Sequence, residues 1–550
     1  MSLTADLLIH ARWIVTVETD GEVLADHALA IRDGKIVAIV PPEGVAAVSA
    51  KETVRLPRHV LMPGLVNLHC HAAMTLLRGY ADDLALMDWL QNHIWPAEGK
   101  HVSDEFVYDG TLIGMAEMIR SGTTTVNDMY FYNSAVARAG LAAGMRTFVG
   151  CSILEFPTNY GLNADDYINK GLKERDEFVG ESMVTFTLAP HAPYTVSDAT
   201  FRKVVTLAEQ LDLPIHCHIH ETQDEINGSL SEHQVRPLAR LAALGLLSPR
   251  LVAAHMVHLN DEEIALAAHH GVSVAHNPTS NMKLASGIAP VQKLLAAGVN
   301  VGIGTDGAAS NNKLDMLADT RMSALLAKVG TQDPTAVPAA TALRMATLNG
   351  ARALGIEART GSVAVGKDAD VIALDLGALE TAPTFDPISH LVYAAGREQV
   401  SHVWAAGRAL LRERQLALEN GTLYAQIDRT PDVIQTDFSD GDHFLHMGKT
   451  PDLIQSILCH NSCIVGMNPH CAIHKRIRFH QFQGPAKSPD GRAHIYNTAH
   501  SPVFHGRKDL ISVFVKCLII IMCMCIKYHF PRLAFFLLTA LRYSKYTTHS

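Results

Sequence analysis

The chain has little of what marks a nucleic-acid-binding, disordered or fibrous protein. Charged residues make up only 18% of its 550 residues, and 46 basic against 55 acidic side chains give a formal charge of −9. No basic excess therefore indicates nucleic acid or an anionic membrane as a partner. A hydrophobic content of 48%, with 38 glycines and 24 prolines, excludes a mostly disordered or collagen-like chain. At this length we expect two or three domains.

Cysteine is scarce over most of the chain, and no secretory signal is evident. The first 430 residues hold three cysteines, Cys70, Cys151 and Cys217, which suits a reducing compartment better than a disulfide scaffold. The apolar stretch near the N-terminus has no basic region before it and contains Asp6. These features predict a cytoplasmic enzyme.

The composition changes from about Thr430. Six of the nine cysteines and eleven of the thirty histidines follow this point. One interpretation is a structural zinc site at Cys459, Cys463, Cys471 and His474, but the spacings fit the usual zinc pairs poorly. Another is a membrane anchor over 510–526, a short run for a bilayer that contains Lys516. We favour a poorly ordered appendage over 430–550 without an evolved role, such as sequence translated beyond the natural end of the gene.

Between Leu61 and Asp306, eight β-rich runs alternate with stretches of helical periodicity such as 103–120, 198–211 and 261–270. The runs end at His71, Asp128, Ser152, His191, Glu221, His258, Pro278 and Asp306. This alternation predicts an α/β protein with a (β/α)8 TIM barrel over 61–358, whose active site lies at the carboxyl ends of the strands. Short strands and turns in 1–60 and 359–429 predict one small β-sandwich domain built from both flanks.

Histidines and one aspartate stand where these runs end. His69 and His71 are two apart and so share one face of a strand, but such a pair alone is a weak signal. His218 on the fifth run and Asp306 at the end of the eighth would face the same barrel mouth. Three imidazoles and one carboxylate leave a position for water, as a catalytic zinc ion needs, with iron or manganese as alternatives.

Two further features refine this site. Glu221 follows His218 by three residues and is the candidate acid/base, whereas His216 and His220 are better explained as a deeper packed histidine and a loop histidine. A second metal would need a bridging group such as a modified lysine at the end of a middle strand. The lysines between His71 and His218 lie in helical or loop stretches: Lys100, Lys170, Lys173 and Lys203. We therefore expect one metal ion.

Six segments together resemble a known family. They are NLHCHAAMTLLRGYADD, SGTTTVNDMYF, HCHIHET, AAHMVHL, HNPTSNMKLASGIAPV and GTDGAASNN. The resemblance is to the amidohydrolase superfamily, and within it to the 5′-methylthioadenosine/S-adenosylhomocysteine deaminases and the related s-triazine hydrolases. It covers about residues 5–425 and does not extend into the tail.

The resemblance implies roles for individual residues. The metal ligands it implies are His69, His71, His218 and Asp306, with Asp306 also accepting the proton of water. It further implies that Glu221 protonates the purine, that His255 contacts the incoming oxygen, and that Glu98 and His191 bind substrate. From the sequence alone, Glu98 would be a surface acid and His191 a strand-end histidine; His258 and His276 receive no role.

The chain departs from the family after the third run. Some members have arginines there that meet the substrate's tail, but CSILEFPTNYGLNADD contains none. This absence weakens the case for recognition of a homocysteine carboxylate and leaves a methylthio substrate less affected.

The expected function is zinc-dependent hydrolytic deamination of a small purine nucleoside, 5′-methylthioadenosine and/or S-adenosylhomocysteine. Nucleic acid and membrane are not expected as partners of the enzyme core, and a homo-oligomer is compatible with the sequence. One alternative is an s-triazine or guanine-type hydrolase on the same metal site. Another is a catalytically inactive metal-binding scaffold, against which the intact ligands and Glu221 argue.

Overall fold

The computed structural model describes residues 3–417, so both interpretations of the 430–550 tail lie outside the described residues. The strands of this part are β1 Leu3–Val15, β2 Val23–Ala25, β3 Ala28–Arg32, β4 Lys35–Val40, β5 Val48–Pro63, β6 Leu65–Cys70, β7 Thr123–Tyr130, β8 Arg146–Ile153, β9 Val184–Pro190, β10 Ile215–Ile219, β11 Leu251–His255, β12 Ser273–His276, β13 Asn300–Ile303, β14 Val371–Asp375, β15 Val400–Ala405, β16 Arg408–Arg412 and β17 Gln415–Leu416.

The α-helices of the same part are α1 Leu86–Asp88, α2 Trp95–His101, α3 Asp104–Arg120, α4 Asn133–Ala143, α5 Ala164–Glu177, α6 Asp198–Leu211, α7 Gln223–His233, α8 Pro237–Ala243, α9 Asp261–His269, α10 Pro278–Lys283, α11 Val291–Ala296, α12 Met316–Thr331, α13 Ala339–Met345, α14 Leu348–Ala353 and α15 Pro387–Tyr393. Three 3-10 segments cover Pro42–Ala47, Ala72–Leu77 and Arg397–Gln399, and a π-helical segment covers Trp89–Ile94. Among the described residues, no helix is long and apolar enough to cross a membrane.

Strands β6 to β13 form the predicted barrel. They make one eight-stranded parallel sheet in sequence order. At its open side the Asp306 amide donates a hydrogen bond to the His69 carbonyl over 2.9 Å, which brings the last strand beside the first. Every residue of β7 and β8 is buried, as expected for strands covered on both faces. The (β/α)8 prediction is therefore confirmed.

The predicted runs and the observed strands differ at their carboxyl ends. Strand β10 ends at Ile219, so Glu221 lies two residues into the following loop. Strand β13 ends at Ile303, so Asp306 lies three residues into the loop after it. Both loops lie at the barrel mouth, where the backbone leaves the sheet to reach the next helix.

Side-chain caps, two of them serines, mark where several helices around the barrel begin. The Ser103 hydroxyl accepts the Phe106 amide at the start of α3, and the Ser197 hydroxyl accepts the Thr200 amide at the start of α6. These caps explain why the predicted helical stretches match the observed helices within a residue or two.

The strands of both flanks join in a second sheet, as predicted. Its order is β17-β16-β15-β14-β5-β1-β3-β4, with β2 paired to β1, so β5 and β14 link the two flanks in antiparallel register. The sheet folds back on itself, because a Cβ on Gly34 in the β3–β4 turn would lie 2.6 Å from the Ala406 carbonyl oxygen beyond β15. One apolar core lies inside it, to which Ile9, Ile31 and Trp404 contribute. The domain boundaries at 60/61 and 358/359 stay predictions.

Candidate active site

Four of the predicted side chains converge at the barrel mouth. His69 is the fifth residue of β6, His71 follows that strand, His218 lies on β10, and Asp306 follows β13. The Asp306 Oδ1 atom lies 3.3 Å from His69 Nε2 and 3.2 Å from His71 Nε2. The Nε2 atoms of His71 and His218 are 3.3 Å apart. The fold thus brings together side chains that are more than 200 residues apart in the chain.

Backbone carbonyls orient two of these imidazoles. His71 Nδ1 donates to the Met129 carbonyl over 2.6 Å, and His218 Nδ1 donates to the His191 carbonyl over 2.7 Å. With Nδ1 protonated, the neutral form of each ring turns its Nε2 lone pair toward the cluster. Such hydrogen bonds on the outer nitrogen are typical of histidines that bind a metal.

His69 lies deepest in the cluster and is fully buried. Its Nδ1 atom lies 2.8 Å from His216 Nε2, while its Nε2 atom has no hydrogen-bond partner among the described residues. A buried ring nitrogen without a partner is costly unless something binds to it. His216 is the packed histidine that the sequence predicted, and it lies directly behind His69.

These donor atoms fit a divalent ion. Ligand bonds of about 2.0–2.1 Å to one zinc ion require its ligand atoms to lie within about 4.2 Å of one another, and the 3.2–3.3 Å separations here satisfy that limit. Without a cation, the lone pairs on the Nε2 atoms of His71 and His218 would face each other. Two trios of side chains have possible ligand atoms within 4.8 Å of one another. One is His69, His71 and Asp306, and the other is His69, His218 and His255. The cluster can therefore hold a metal ion.

Hydrogen bonds hold the Asp306 carboxylate in one orientation. Its Oδ2 atom accepts the hydroxyls of Ser280 and Ser310 over 2.6 and 3.0 Å, and Oδ1 accepts the Gly307 amide over 2.8 Å. Burial opposes ionisation, but the neighbouring histidines His69 and His71 hold the pKa of Asp306 well below its usual range. The carboxylate is therefore ionised and directs one oxygen at the cluster.

Glu221 and His255 stand beside the cluster. Glu221 Oε2 lies 3.6 Å from His255 Nε2, and both side chains are buried. Burial raises the pKa of Glu221, which favours a carboxyl group that carries a proton. The Glu225 carboxylate accepts the Glu221 amide over 2.9 Å, and Asn281 Oδ1 lies 2.8 Å from His255 Nδ1. Both candidate groups are thus held by neighbours outside the cluster.

A cavity opens above these groups. Aromatic and aliphatic side chains form most of its wall, including Leu86, Trp89, Trp95 and Phe131. All the predicted site residues except the deeper His69 line it: His71, Glu98, His191, His218, Glu221, His255 and Asp306. No lysine or arginine is among the described residues lining it.

Glu98 and His191 lie at this cavity rather than at the outer surface. The Tyr130 hydroxyl donates to Glu98 Oε1 over 2.7 Å, and burial raises the pKa of Glu98 to about 7. His191 Nδ1 is hydrogen-bonded to the Thr195 hydroxyl at 3.0 Å, and burial lowers the pKa of His191 to about 3, so the ring is neutral. Sequence reasoning alone would have placed Glu98 in solvent.

Two histidines without a predicted role differ in their surroundings. His258 Nε2 donates to the Ser286 carbonyl over 2.7 Å, and the His258 carbonyl lies 2.9 Å from His220 Nδ1. His276 is fully buried, with neither ring nitrogen partnered among the described residues. The cavity is not lined by His258, by His276 or by His220.

Several residues that build the site lie in the family-like segments but were assigned no role from the sequence. Tyr130 holds Glu98, Asn281 contacts His255, and Ser280 and Ser310 hold Asp306. Ser310 lies in the same loop as Asp306, but the other three lie on different elements from the side chains they contact, so only the folded barrel brings those partners together.

Comparisons with known proteins place this site in context. A sequence model described as Amidohydrolase family matches residues 60–410. A 5-methylthioadenosine/S-adenosylhomocysteine deaminase of Saccharophagus degradans is 46% identical over 424 residues, which cover 77% of this chain and 95% of that protein. A 5′-deoxyadenosine deaminase of Methanothermobacter thermautotrophicus is 46% identical over 357 residues, covering 65% and 83%. The crystal structure of an adenosine deaminase from Xanthomonas campestris with bound zinc is 48% identical, with a TM-score of 0.78, covering 79% of this chain and 100% of that one.

Proposed function

Because the chain belongs to the amidohydrolase family, we propose that it hydrolytically deaminates the adenine C6 amine of 5′-methylthioadenosine and/or S-adenosylhomocysteine. The products are the inosine analogue and ammonia. The observation that carries this proposal is Glu221, a buried carboxyl with a raised pKa beside the histidine–aspartate cluster, at one cavity with Glu98. The names of the Saccharophagus and Methanothermobacter relatives support a purine nucleoside substrate.

The proposed cofactor is one zinc ion held by His69, His71, His218 and Asp306, with iron or manganese as alternatives. The zinc in the Xanthomonas structure supports this choice. A single ion agrees with the absence of lysine among the described residues that line the cavity. When bound, the ion supplies a water molecule whose pKa is lowered towards about 7.

The chain's own residues then move the protons. Asp306 accepts a proton from the water, and Glu221 donates its proton to N1 of the purine, which makes C6 electrophilic. A C6–O bond forms while His255 hydrogen-bonds the incoming oxygen. The C6–N bond breaks, the proton held by Asp306 goes to the leaving amine, and ammonia departs. When the C6=O bond forms, the second proton of the water restores the protonated form of Glu221, and N1 keeps its proton, as the inosine-type product requires.

The cavity wall favours the smaller substrate of the two. Leu86, Trp89, Trp95 and Phe131 provide apolar surface for a methylthio group. Among the described residues that line the cavity there is no arginine for a homocysteine carboxylate. We therefore expect 5′-methylthioadenosine to be the better substrate, with His191 and Glu98 contributing contacts to it.

The test is a deamination assay on the zinc-loaded protein, with ultraviolet absorbance and released ammonia followed together. We expect turnover of 5′-methylthioadenosine to exceed that of adenosine. Turnover of guanine or an s-triazine instead would favour the alternative hydrolase. An intact metal site without turnover of any of these compounds would favour the inactive scaffold. The proposed setting is the cytoplasm, and the proposed partner is the small-molecule substrate, with a homo-oligomer as the proposed assembly.

A further inference from the structure

Glu225 holds the backbone of the loop that carries the proposed proton donor. Its Oε1 atom accepts the His220 amide over 2.9 Å, and its Oε2 atom accepts the Glu221 amide over 2.9 Å. The side chain is buried, and Glu225 is not among the described residues that line the cavity. It can therefore affect a bound substrate only through the loop that it holds.

This contact is a variation on a common start of a helix. Thr222 and Glu225 have the spacing of a capping box, in which the glutamate side chain accepts the amide of the capping residue. The Thr222 hydroxyl does accept the Glu225 amide at the start of α7, over 3.3 Å. The Glu225 side chain instead extends past Thr222 and accepts the two amides that precede it. One half of the capping motif thus holds the loop before the helix.

The loop has an unusual backbone conformation at His220. Its φ of 57° lies in the left-handed region, which a residue other than glycine adopts only where its surroundings hold it. Consecutive amides beside such a residue can form a concave anion site, and here Glu225 fills it. On the other side, the His220 carbonyl accepts the amides of Val257 and His258 over 2.9 and 3.1 Å, and His220 Nε2 accepts the Leu238 amide over 3.0 Å. The bend before Glu221 is therefore held from both sides.

The contact is compatible with either protonation state of Glu225. Burial raises the pKa of Glu225 to about 8, whereas the His220 and Glu221 amides favour its ionised form. A carboxylate accepts hydrogen bonds on both oxygens, and a protonated carboxyl group retains acceptor capacity. The hold on the loop therefore follows from the geometry of the two oxygens.

The Glu221 side chain needs this support because its own carboxyl group is weakly held. Glu221 Oε2 lies 3.6 Å from His255 Nε2, which is beyond hydrogen-bond distance. The direction of the carboxyl group therefore depends on the backbone that carries it. A displacement of a reacting group by about 1 Å can cost about a hundredfold in rate.

From this geometry we propose that Glu225 is a positioning residue that holds the His220–Glu221 backbone, so that Glu221 directs its carboxyl group at the ring nitrogen of the substrate. This inference rests on the proposed function and adds to it the group that orients the proton donor.

The experiment measures deamination of 5′-methylthioadenosine by the Glu225→Gln variant of the zinc-loaded protein. This change keeps the shape of the side chain but turns an NH2 group toward one of the two amides. We expect kcat to fall at least about tenfold, the usual effect of losing a hydrogen bond to a charged group. KM should change by less than about twofold, because Glu221 acts in the transition state.

The matched control is Asp224→Asn, which makes the same change of acid to amide in the same turn of α7 at an exposed residue. Its kcat and KM should both stay within about twofold of the unmodified protein. If Glu225→Gln does not fold, Glu225→Asp replaces it, because that variant keeps both oxygens on a side chain one carbon shorter. The same loss in kcat is then expected.

A double variant distinguishes positioning from general damage. Adding Glu225→Gln to Glu221→Gln should lower kcat by less than about threefold more, because Glu225 acts through Glu221. A loss equal to the product of the two single losses would overturn the inference, as would an unchanged kcat in Glu225→Gln. Zinc content is measured on every variant, and loss of zinc from Glu225→Gln would also overturn it.

The failure of the proposed function has a different signature. Hydrogen–deuterium exchange of the His220 and Glu221 amides needs neither substrate nor metal. Exchange should be about tenfold faster in Glu225→Gln and unchanged in Asp224→Asn, because a buried amide that loses its acceptor opens more readily. This result would support the hold on the loop even if the unmodified protein deaminated no nucleoside, and unchanged exchange in Glu225→Gln would overturn it.

Discussion

The protonation of Glu221 depends on its surroundings. It is 5% exposed, and that burial raises its pKa, which favours the protonated carboxyl over the ionised form. A proton donor for a ring nitrogen needs this protonated form at neutral pH.

We predict that Glu221→Gln retains the metal but lowers kcat by about 10²–10⁴-fold, the usual contribution of a general acid. The measurements are steady-state kinetics and zinc content by elemental analysis. Glu209→Gln, on the exposed face of α6, is the control and should leave both unchanged. Full turnover in Glu221→Gln would remove the assigned role.

Glu98 predicts a pH dependence with a definite sign. Burial raises its pKa to about 7, so the carboxylate form is present above that pH and is lost as the pH falls through it. Because the ionised form accepts hydrogen bonds from hydroxyl groups, KM for adenosine should rise as the pH falls from 8 to 6. A KM measured across this range that stays constant, with the metal retained, would contradict a contact between the Glu98 carboxylate and the substrate.

At the scale of a residue, the sequence indicated some roles and missed others for a physical reason. His69, His71, His218 and Asp306 follow strand-like runs, so their position at one mouth follows from the barrel topology. Tyr130 lies on β7, and its partner Glu98 lies on α2, 32 residues away in the chain. Local pattern carries no information about that distance.

At the scale of an element, the approach of β13 to β6 determines the shape of the cluster. Gly304 follows β13, and a Cβ atom there would lie 2.8 Å from both the Cβ and the backbone nitrogen of His69 and 2.4 Å from Asn277 Oδ1. Only a residue without a side chain allows the loop that carries Asp306 to pass so close to His69.

We therefore predict that Gly304→Ala displaces His69 relative to Asp306 and lowers zinc affinity by at least about tenfold, because ligands must keep their geometry to bind well. Competition with a chelator measures the affinity. The matched control is Gly228→Ala in α7, where an added Cβ would meet nothing within 4 Å. Zinc affinity unchanged in Gly304→Ala would show that the loop adjusts.

The eight strands could be predicted because buried parallel strands appear as short apolar runs between helices. The residues at which the strands end could not be predicted. The polar residues Glu221 and Asp306 follow the apolar runs directly, although β10 and β13 have already ended. The long β1 and β5 were anticipated only as short strands, since their pairing with each other over many residues is a non-local contact.

At the scale of the whole molecule, one buried ion-pair group connects the barrel to the folded-back sheet. Arg146 at the start of β8 lies 3.0 Å from Asp368 and 3.1 Å from Asp370, and its side chain is 3% exposed. Asp368 is also paired with Lys35 and Arg359, whereas Asp370 loses its cationic partner if Arg146 is replaced.

We predict that Arg146→Met lowers the free energy of unfolding by about 3 kcal/mol or more, because it leaves the buried Asp370 carboxylate without a cationic partner. Chemical denaturation measures the change. Arg138→Met removes the exposed pair with Asp104 and should cost no more than about 1 kcal/mol. Similar costs for the two variants would contradict a structural role for the buried group.

The participation of both flanks in one sheet could be anticipated, because strand-like texture brackets the barrel in the sequence. The way that sheet curls over its own core could not, since it depends on the close contact of the Gly34 turn with Ala406.

The central claim is that one metal ion, held by His69, His71, His218 and Asp306, makes this chain a nucleoside deaminase. The most direct measurement is zinc titration of the metal-stripped full-length protein, with deamination of 5′-methylthioadenosine followed at each addition and His218→Ala as the comparison. We predict no turnover without metal, a maximum at one zinc ion per chain, and neither tight zinc binding nor turnover in His218→Ala. Turnover by the stripped protein, or a maximum that requires two ions per chain, would contradict the claim.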